Sequence, residues 1–172
     1  MAQGNARRHQ MVFPEQQAIY DYWRGKCRGE SLPSDADICP SELPGDLSMV
    51  SYTAPEPCPR NPGDTRFFLR LAGTGFWRFY GSEIQGRYID ELPIGCRADY
   101  WARALAMVVD DRRPYHGVTK PNTPRGSHMA QFWMRLPLSS DGTNVDCILG
   151  YDVIRPLEDA LAPAPKRRPV YA

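Results

Sequence analysis

FFLRLAGTGFWRFYGSEIQGRYIDEL, residues 67–92, reads as a strand, a short aromatic helical turn and a glycine-punctuated loop. Phe67, Leu69 and Leu71 alternate with Phe68, Arg70 and Ala72, the period of two expected of a strand with one face turned inward. The strand pattern stops at Gly73-Thr74-Gly75. Phe76, Trp77, Phe79 and Tyr80 follow in a run too short to hold a helix alone, so their rings need a sheet beside them. Gly81 and Gly86 bracket the next turn. This order suits a small sensory or binding domain better than an enzyme.

Upstream, Ala18, Ile19, Tyr22 and Trp23 fall on one face of a helix that starts at Pro14, with Gly25 and Gly29 as natural stops. A proline-rich loop at 32–40 leads to a turn at 41–44, with Ser41 as its expected cap, and then to a first strand at 47–53. APEPCPRNPGD, residues 54–64, carries four prolines, which predicts an extended connection rather than a central strand. The second strand is 66–72.

Downstream, Ala98, Trp101, Ala102, Leu105 and Val109 recur at three- and four-residue steps, the clearest helical pattern in the chain. Pro114 ends it, because the residue before a proline avoids the helical region. Strands three to five are expected at 115–120, 129–138 and 143–154, with turns at PNTPRG and at Ser139–Gly142. PRGSHM, residues 124–129, looks like the scar of a cleaved tag, yet it lies between two strand patterns and is read as native sequence.

Five strand patterns, with helices gathered between the second and the third, predict an α+β fold: a five-stranded antiparallel sheet with short helices on one face and an N-terminal amphipathic helix. Residues 1–13 read as a flexible arm, 14–155 as one domain with its first helix at 14–28, and 156–172 as a Pro/Ala/basic tail. The strand patterns carry two apolar sets, Phe132, Met134, Cys147, Leu149 and Tyr151 on one side and Phe68, Trp133 and Ile148 on the other, so both sheet faces need cover. Each such side chain contributes about 1.5–3 kcal/mol when fully buried. The helix carrying Ile19, Tyr22 and Trp23 is the expected cover, from the same chain or from a second copy, and a homodimer follows from the second case.

RLAGTG at 70–75 and YGSEIQGRYIDEL at 80–92 resemble the single-domain PAS proteins of alphaproteobacteria. YDYWRGKCRGESLPSDADICPSEL at 20–43 is similar to that family's N-terminal helix and following loop, and LPLSSDGTNVDCILGYDVI at 136–154 to its last hairpin. The resemblance covers roughly residues 15–155. It implies a fold and a role in sensing or protein contact, and names no ligand. In that family one sheet face carries the helices and encloses a pocket, while the other meets the N-terminal helix or a partner. The pocket candidates are Phe76, Phe79, Ile84, Met107, Met134, Cys147 and Leu149; the dimer or partner-face candidates are Ile19, Tyr22, Trp23, Phe68, Trp133 and Ile148. Arg87 and Asp90 lie in the family's recurrent Gly-Arg-x-Ile-Asp-Glu-Leu phrase. Asp90 is expected to cap the next turn and Arg87 to pair at the surface; the functional alternative has Arg87 facing an anionic ligand.

The remaining chemistry is narrow. Lys plus Arg total 21 against 20 Asp plus Glu, so no global field draws in nucleic acid or an anionic membrane. No stretch of about 18 apolar residues occurs, and the N-terminal segment lacks the apolar core of a secretory signal, so a cytoplasmic location is expected. The five cysteines are spread out with no Cys-x-x-Cys pair, which reads as separate reduced thiols, Cys147 as core filler. His9, His116 and His128 fall outside the helical patterns, whereas haem-binding PAS proteins take their ligand from a helix facing the pocket, so haem and a His-based metal site are disfavoured. Cys96-Arg97 lacks the asparagine and aromatic of a flavin-adduct helix, which disfavours flavin. Serine-elbow and phosphate-cradle spacings are absent, and no enzyme is expected. The leading expectation is a PAS-like sensory or interaction module without an output domain, taking a small apolar or amphipathic ligand and signalling through dimer or partner contacts. The alternative is a ligand-free dimeric adaptor. Lys166-Arg167-Arg168 reads as a solvated basic run and is a weak cue to RNA, acidic lipid or an acidic partner.

Overall fold

The computed structural model describes residues 13–161. Helix α1, Pro14–Lys26, starts where the sequence places it, with extended Phe13 before the proline. Its inward face buries Gln16, Ile19 and Trp23. Two side chains on that face bond directly to strand backbone: Gln16 Nε2 donates to the Phe132 carbonyl at 3.1 Å and Trp23 Nε1 to the Pro137 carbonyl at 2.9 Å. The helix is therefore held at both ends of its apolar stripe.

Strands β1 (Val50–Pro57), β2 (Thr65–Ala72), β3 (Tyr115–Thr119), β4 (Met129–Leu138) and β5 (Cys147–Pro156) form one sheet in the order β2-β1-β5-β4-β3. Every neighbouring pair is antiparallel, the α+β architecture expected from the strand patterns. Between β2 and β3 lie the short helix α2 (Trp77–Tyr80) and the long helix α3 (Arg97–Asp111). Helix α4 (Leu157–Leu161) follows β5.

Two strands begin elsewhere than the sequence pattern suggests. Residues Leu47–Met49 form a 3-10 turn capped by Asp46, whose carboxylate accepts from Ser48 N at 2.9 Å, so β1 starts only at Val50. It then runs through Pro55 and Pro57, opposite Phe67 and Thr65 of β2. β5 pairs with β1 only from Val50 to Thr53, so beyond that point β1 has a free edge on which a missing N–H costs no ladder bond. In β5 the expected start at 143 moves to Cys147. The Asp141 carboxylate gathers the side chain and N–H of Asn144 with the N–H of Thr143, wrapping the preceding residues into a turn and holding its own carboxyl well below the usual range. Ser41 lies inside a 3-10 turn, Pro40–Glu42, rather than capping it. At the other end the domain continues past residue 155: Pro156 pairs with Met129, Leu157 N donates to His128 O, and the Leu157 side chain packs into the core. Residues 1–12 of the expected arm and Lys166-Arg167-Arg168 of the tail lie outside the described residues.

The two sheet faces each carry a core. Ile19 and Trp23 of α1 cover Phe132, Met134, Leu136, Cys147, Leu149 and Tyr151. On the reverse face, Trp101, Ala104, Leu105 and Val108 of α3 meet Trp133, Ile148, Phe67 and Leu69. The first apolar set is the one expected, whereas Trp133 and Ile148 are joined by Phe67 and Leu69 in place of Phe68; the covers are exchanged as well, with Met134, Cys147 and Leu149 under α1 and Trp133 and Ile148 under α3. Alternation along a strand separates the faces without saying which helix each one meets. Phe68 belongs to neither core: it alternates away from Phe67 and Leu69, is half-buried, and meets the Tyr88 ring at 5.1 Å with the planes tilted by 58°. Ile19, Trp23, Trp133 and Ile148 are at most 6% exposed within a single chain, so none is free to form a face between copies.

Candidate functional site

The α3 face of the sheet carries polar side chains at its centre. Gln131, Trp133 and Arg135 alternate onto this face of β4, and the register sets Trp133 opposite Asp152 and Arg135 opposite Gly150. Asp152 is fully buried. Its two oxygens accept from Arg135 Nη1 at 2.8 Å and Nη2 at 3.2 Å, and Gln131 Nε2 donates to it at 2.7 Å. Arg135 Nη1 also donates to the Met134 carbonyl, and the guanidinium lies 4.8 Å from the Trp101 ring centre and 5.9 Å from that of Trp133. Glycine is required at position 150 for this arrangement: a Cβ there would stand 2.3 Å from Ser51 Oγ and 3.1 Å from Arg135 Cζ.

Above this floor the chain from Phe76 to Leu105 forms a roof. Phe76, Tyr80, Ile84, Ile89, Leu92, Trp101 and Leu105 look down on Ser51, Thr53, Leu69, Gln131 and Arg135. The space left between them is about 30 Å³, room for a water molecule or two. Burial, with the Asp152 carboxylate as second cause, pushes the Tyr80 phenol up to about 12. It stays protonated through neutral pH and acts as a hydrogen-bonding group, with Gln131 as its neighbour.

The roof is seated on the outer edge of β2. Gly86 N donates to Leu69 O at 2.8 Å and Leu69 N to Arg87 O at 2.9 Å, a local strand-like pairing made possible by Gly86 at φ +76°. Arg66 then clamps the segment by donating to Asp90 at 3.0 and 2.7 Å and to Glu91 at 3.0 Å, while lying over the Tyr88 ring. Asp90 thus pairs with Arg66 instead of capping the turn, and that hydrogen bonding lowers its carboxyl pKa. Arg87 donates to the Glu91 carbonyl at 2.7 Å and does not line the chamber.

Of the pocket candidates read from sequence, the chamber brings together Phe76 and Ile84. Phe79 lines a separate, more open and more polar groove of about 200 Å³ beside Asp46, Ser48, Arg78 and Arg155. Met107 is 46% exposed on the outer side of α3. Met134, Cys147 and Leu149 lie on the far face beneath α1, where burial raises the Cys147 thiol to about 11. Tyr22 bonds Glu42 at the surface. The groups that sequence reading missed are Gln131, Arg135 and Asp152. Their signal was present as one basic and one acidic residue in neighbouring apolar strands, each at an inward parity. His116 and His128 are exposed, and no cluster of three or more His, Cys, Asp or Glu that could hold a metal ion occurs among the described residues. No helix among them is long and apolar enough to cross a membrane.

Comparison with solved structures finds a fungal LOV domain photoreceptor that is 19% identical over 64% of this chain and 76% of its own, with a TM-score of 0.40. No curated protein matches. A family model described as a PAS domain matches residues 11–152, which span α1 and all five strands as far as Asp152 of the buried ion pair. The chain belongs to the PAS domain family.

Proposed function

We propose that this PAS domain is a sensory or protein-interaction module that takes a small amphipathic molecule between its sheet and the 76–105 roof. The observation that carries this reading is the chamber itself, a largely apolar roof with one phenol, Tyr80, over a hydrogen-bonding floor at the centre of the sheet. Occupancy acts through the roof. A guest larger than about 30 Å³ lifts the segment clamped by Arg66, and the seat of that segment on β2 then reports the guest to a partner. Such coupling requires the guest to bind the lifted state more tightly than the seated one. The reading is of binding: the charged group that lines the chamber, Arg135, is already matched by Asp152.

Native mass spectrometry of the gently purified chain, with thermal shift across a panel of small metabolites, tests it. A co-purifying mass or a concentration-dependent rise in the midpoint is expected. An apo mass together with a flat panel counts against it.

The small size of the chamber favours a second reading, a ligand-free adaptor whose roof simply fills the core. The interface expected at Trp23 and Trp133 is already used within the chain, so such an adaptor docks through exposed apolar groups such as Trp77, Met107 and Val118. Under that reading Trp133→Glu unfolds the domain, while Val118→Glu leaves it folded and loses the partner.

A further inference from the structure

Two buried side-chain polar atoms among the described residues have no hydrogen-bond partner: Thr119 Oγ1 and Gln131 Oε1. They belong to directly opposed residues of β3 and β4. Cross-strand partners project on the same face with Cβ atoms about 4.5–5.5 Å apart, so Thr119 stands beside Gln131, at the β3 edge of the chamber that Gln131 lines. Gln131 is 1% exposed and Thr119 8%.

The amide cannot turn over to relieve the vacancy. Its Nε2 donates to Asp152 at 2.7 Å, and a flip would set Oε1 against a carboxylate that already accepts from Arg135. Gln131 Oε1 is therefore fixed as an acceptor without a donor in bonding geometry, while the Tyr80 phenol of the roof engages the same amide. Thr119 Oγ1 beside it can donate or accept. An acceptor next to a hydroxyl is completed by a group that does both, which is an O–H. A charged guest fits poorly, because the Arg135 charge is already matched by Asp152 and the roof above, the Tyr80 phenol aside, is apolar.

We propose that Thr119 and Gln131 form a hydroxyl-recognition subsite: an uncharged O–H donates to Gln131 Oε1 and its oxygen accepts from Thr119 Oγ1. That hydroxyl is supplied by a guest with an apolar body or, when the chamber holds none, by an ordered water. The guest half of this inference rests on the reading of the chamber as a ligand site; the water half does not.

Phenol and toluene, close in size and differing by O–H against CH₃, are titrated into the full chain by NMR shift of the Trp101 and Trp133 indole N–H signals. Wild type and Leu105→Ala, which opens space under the roof, are run in parallel with Thr119→Val and Thr119→Ser. The phenol-to-toluene affinity ratio is expected to fall fivefold or more in Thr119→Val and to return in Thr119→Ser. Using the ratio cancels the difference in hydrophobicity between the probes. An unchanged ratio in Thr119→Val, with both probes bound, overturns the subsite while leaving the ligand reading intact. Should neither probe bind wild type or Leu105→Ala, the ligand reading fails and the subsite is decided by a crystal structure of the free protein. Density within hydrogen-bond reach of both Thr119 Oγ1 and Gln131 Oε1 then supports it, and a dry gap overturns it.

Discussion

Replacing Asp152 by alanine removes the acceptor on which the floor of the chamber is organised. Asp152 is fully buried and takes three hydrogen bonds, at 2.8 and 3.2 Å from Arg135 and 2.7 Å from Gln131. The Arg135 side chain is 7% exposed, so water cannot replace the lost partner without opening the roof. What remains to the guanidinium is one carbonyl, Met134 O, and the faces of two indoles. Breaking a buried pair by removing one member costs about 3–5 kcal/mol, a large part of the roughly 5–15 kcal/mol that stabilises an ordinary domain. At about 2–4 °C per kcal/mol for a chain of this size, the midpoint falls by roughly 6–20 °C. Urea unfolding followed by tryptophan fluorescence measures the loss. The same argument says that most of the loss comes from the stranded charge. The double variant Arg135→Met/Asp152→Leu, with no charge to strand, is therefore expected to recover more than half of it. A single-variant loss below about 1 kcal/mol, or double-variant losses that simply add, would refute the claim that a matched buried pair organises this floor.

Burial raises the Cys147 thiol from 9.0 to about 11 and the Tyr52 and Tyr80 phenols from 10.0 to about 12. The unfolded chain loses these protons first, so the stability they contribute is complete below pH 9 and drains away as pH rises toward 11 and 12. Urea midpoints read between pH 8 and 11 should fall, with a shallower slope above pH 9 in Cys147→Val; a midpoint level to pH 11 contradicts this. Gly73→Ala brings a Cβ to 2.2 Å from the Ser48 carbonyl oxygen and should destabilise by about 1–3 kcal/mol or more, whereas Gly25→Ala in α1 meets open space and should stabilise by about 0.4–1 kcal/mol. Equal effects of the two in a chemical melt would show that the close approach of the 47–49 turn is misread. Leu105→Ala, 1% exposed above the chamber, should cost about 2–5 kcal/mol while enlarging the space under the roof, as calorimetry and xenon binding can report.

The sequence determined by itself what is local and periodic. Helix α1 and strand β4 stand where the spacing of apolar residues predicts them, because a stripe of Ile19 and Trp23, or ten residues of alternation, needs no knowledge of what lies opposite. It also showed that both faces of the sheet need cover. Only the tertiary structure decided which helix covers which face, why Pro55 and Pro57 are tolerated in β1, and how Gln131, Arg135 and Asp152 meet. Those three residues come together through the pairing of β4 with β5 and the choice of α3 as roof. Both are set by contacts between residues distant along the chain, on which the pattern of any one segment carries no information.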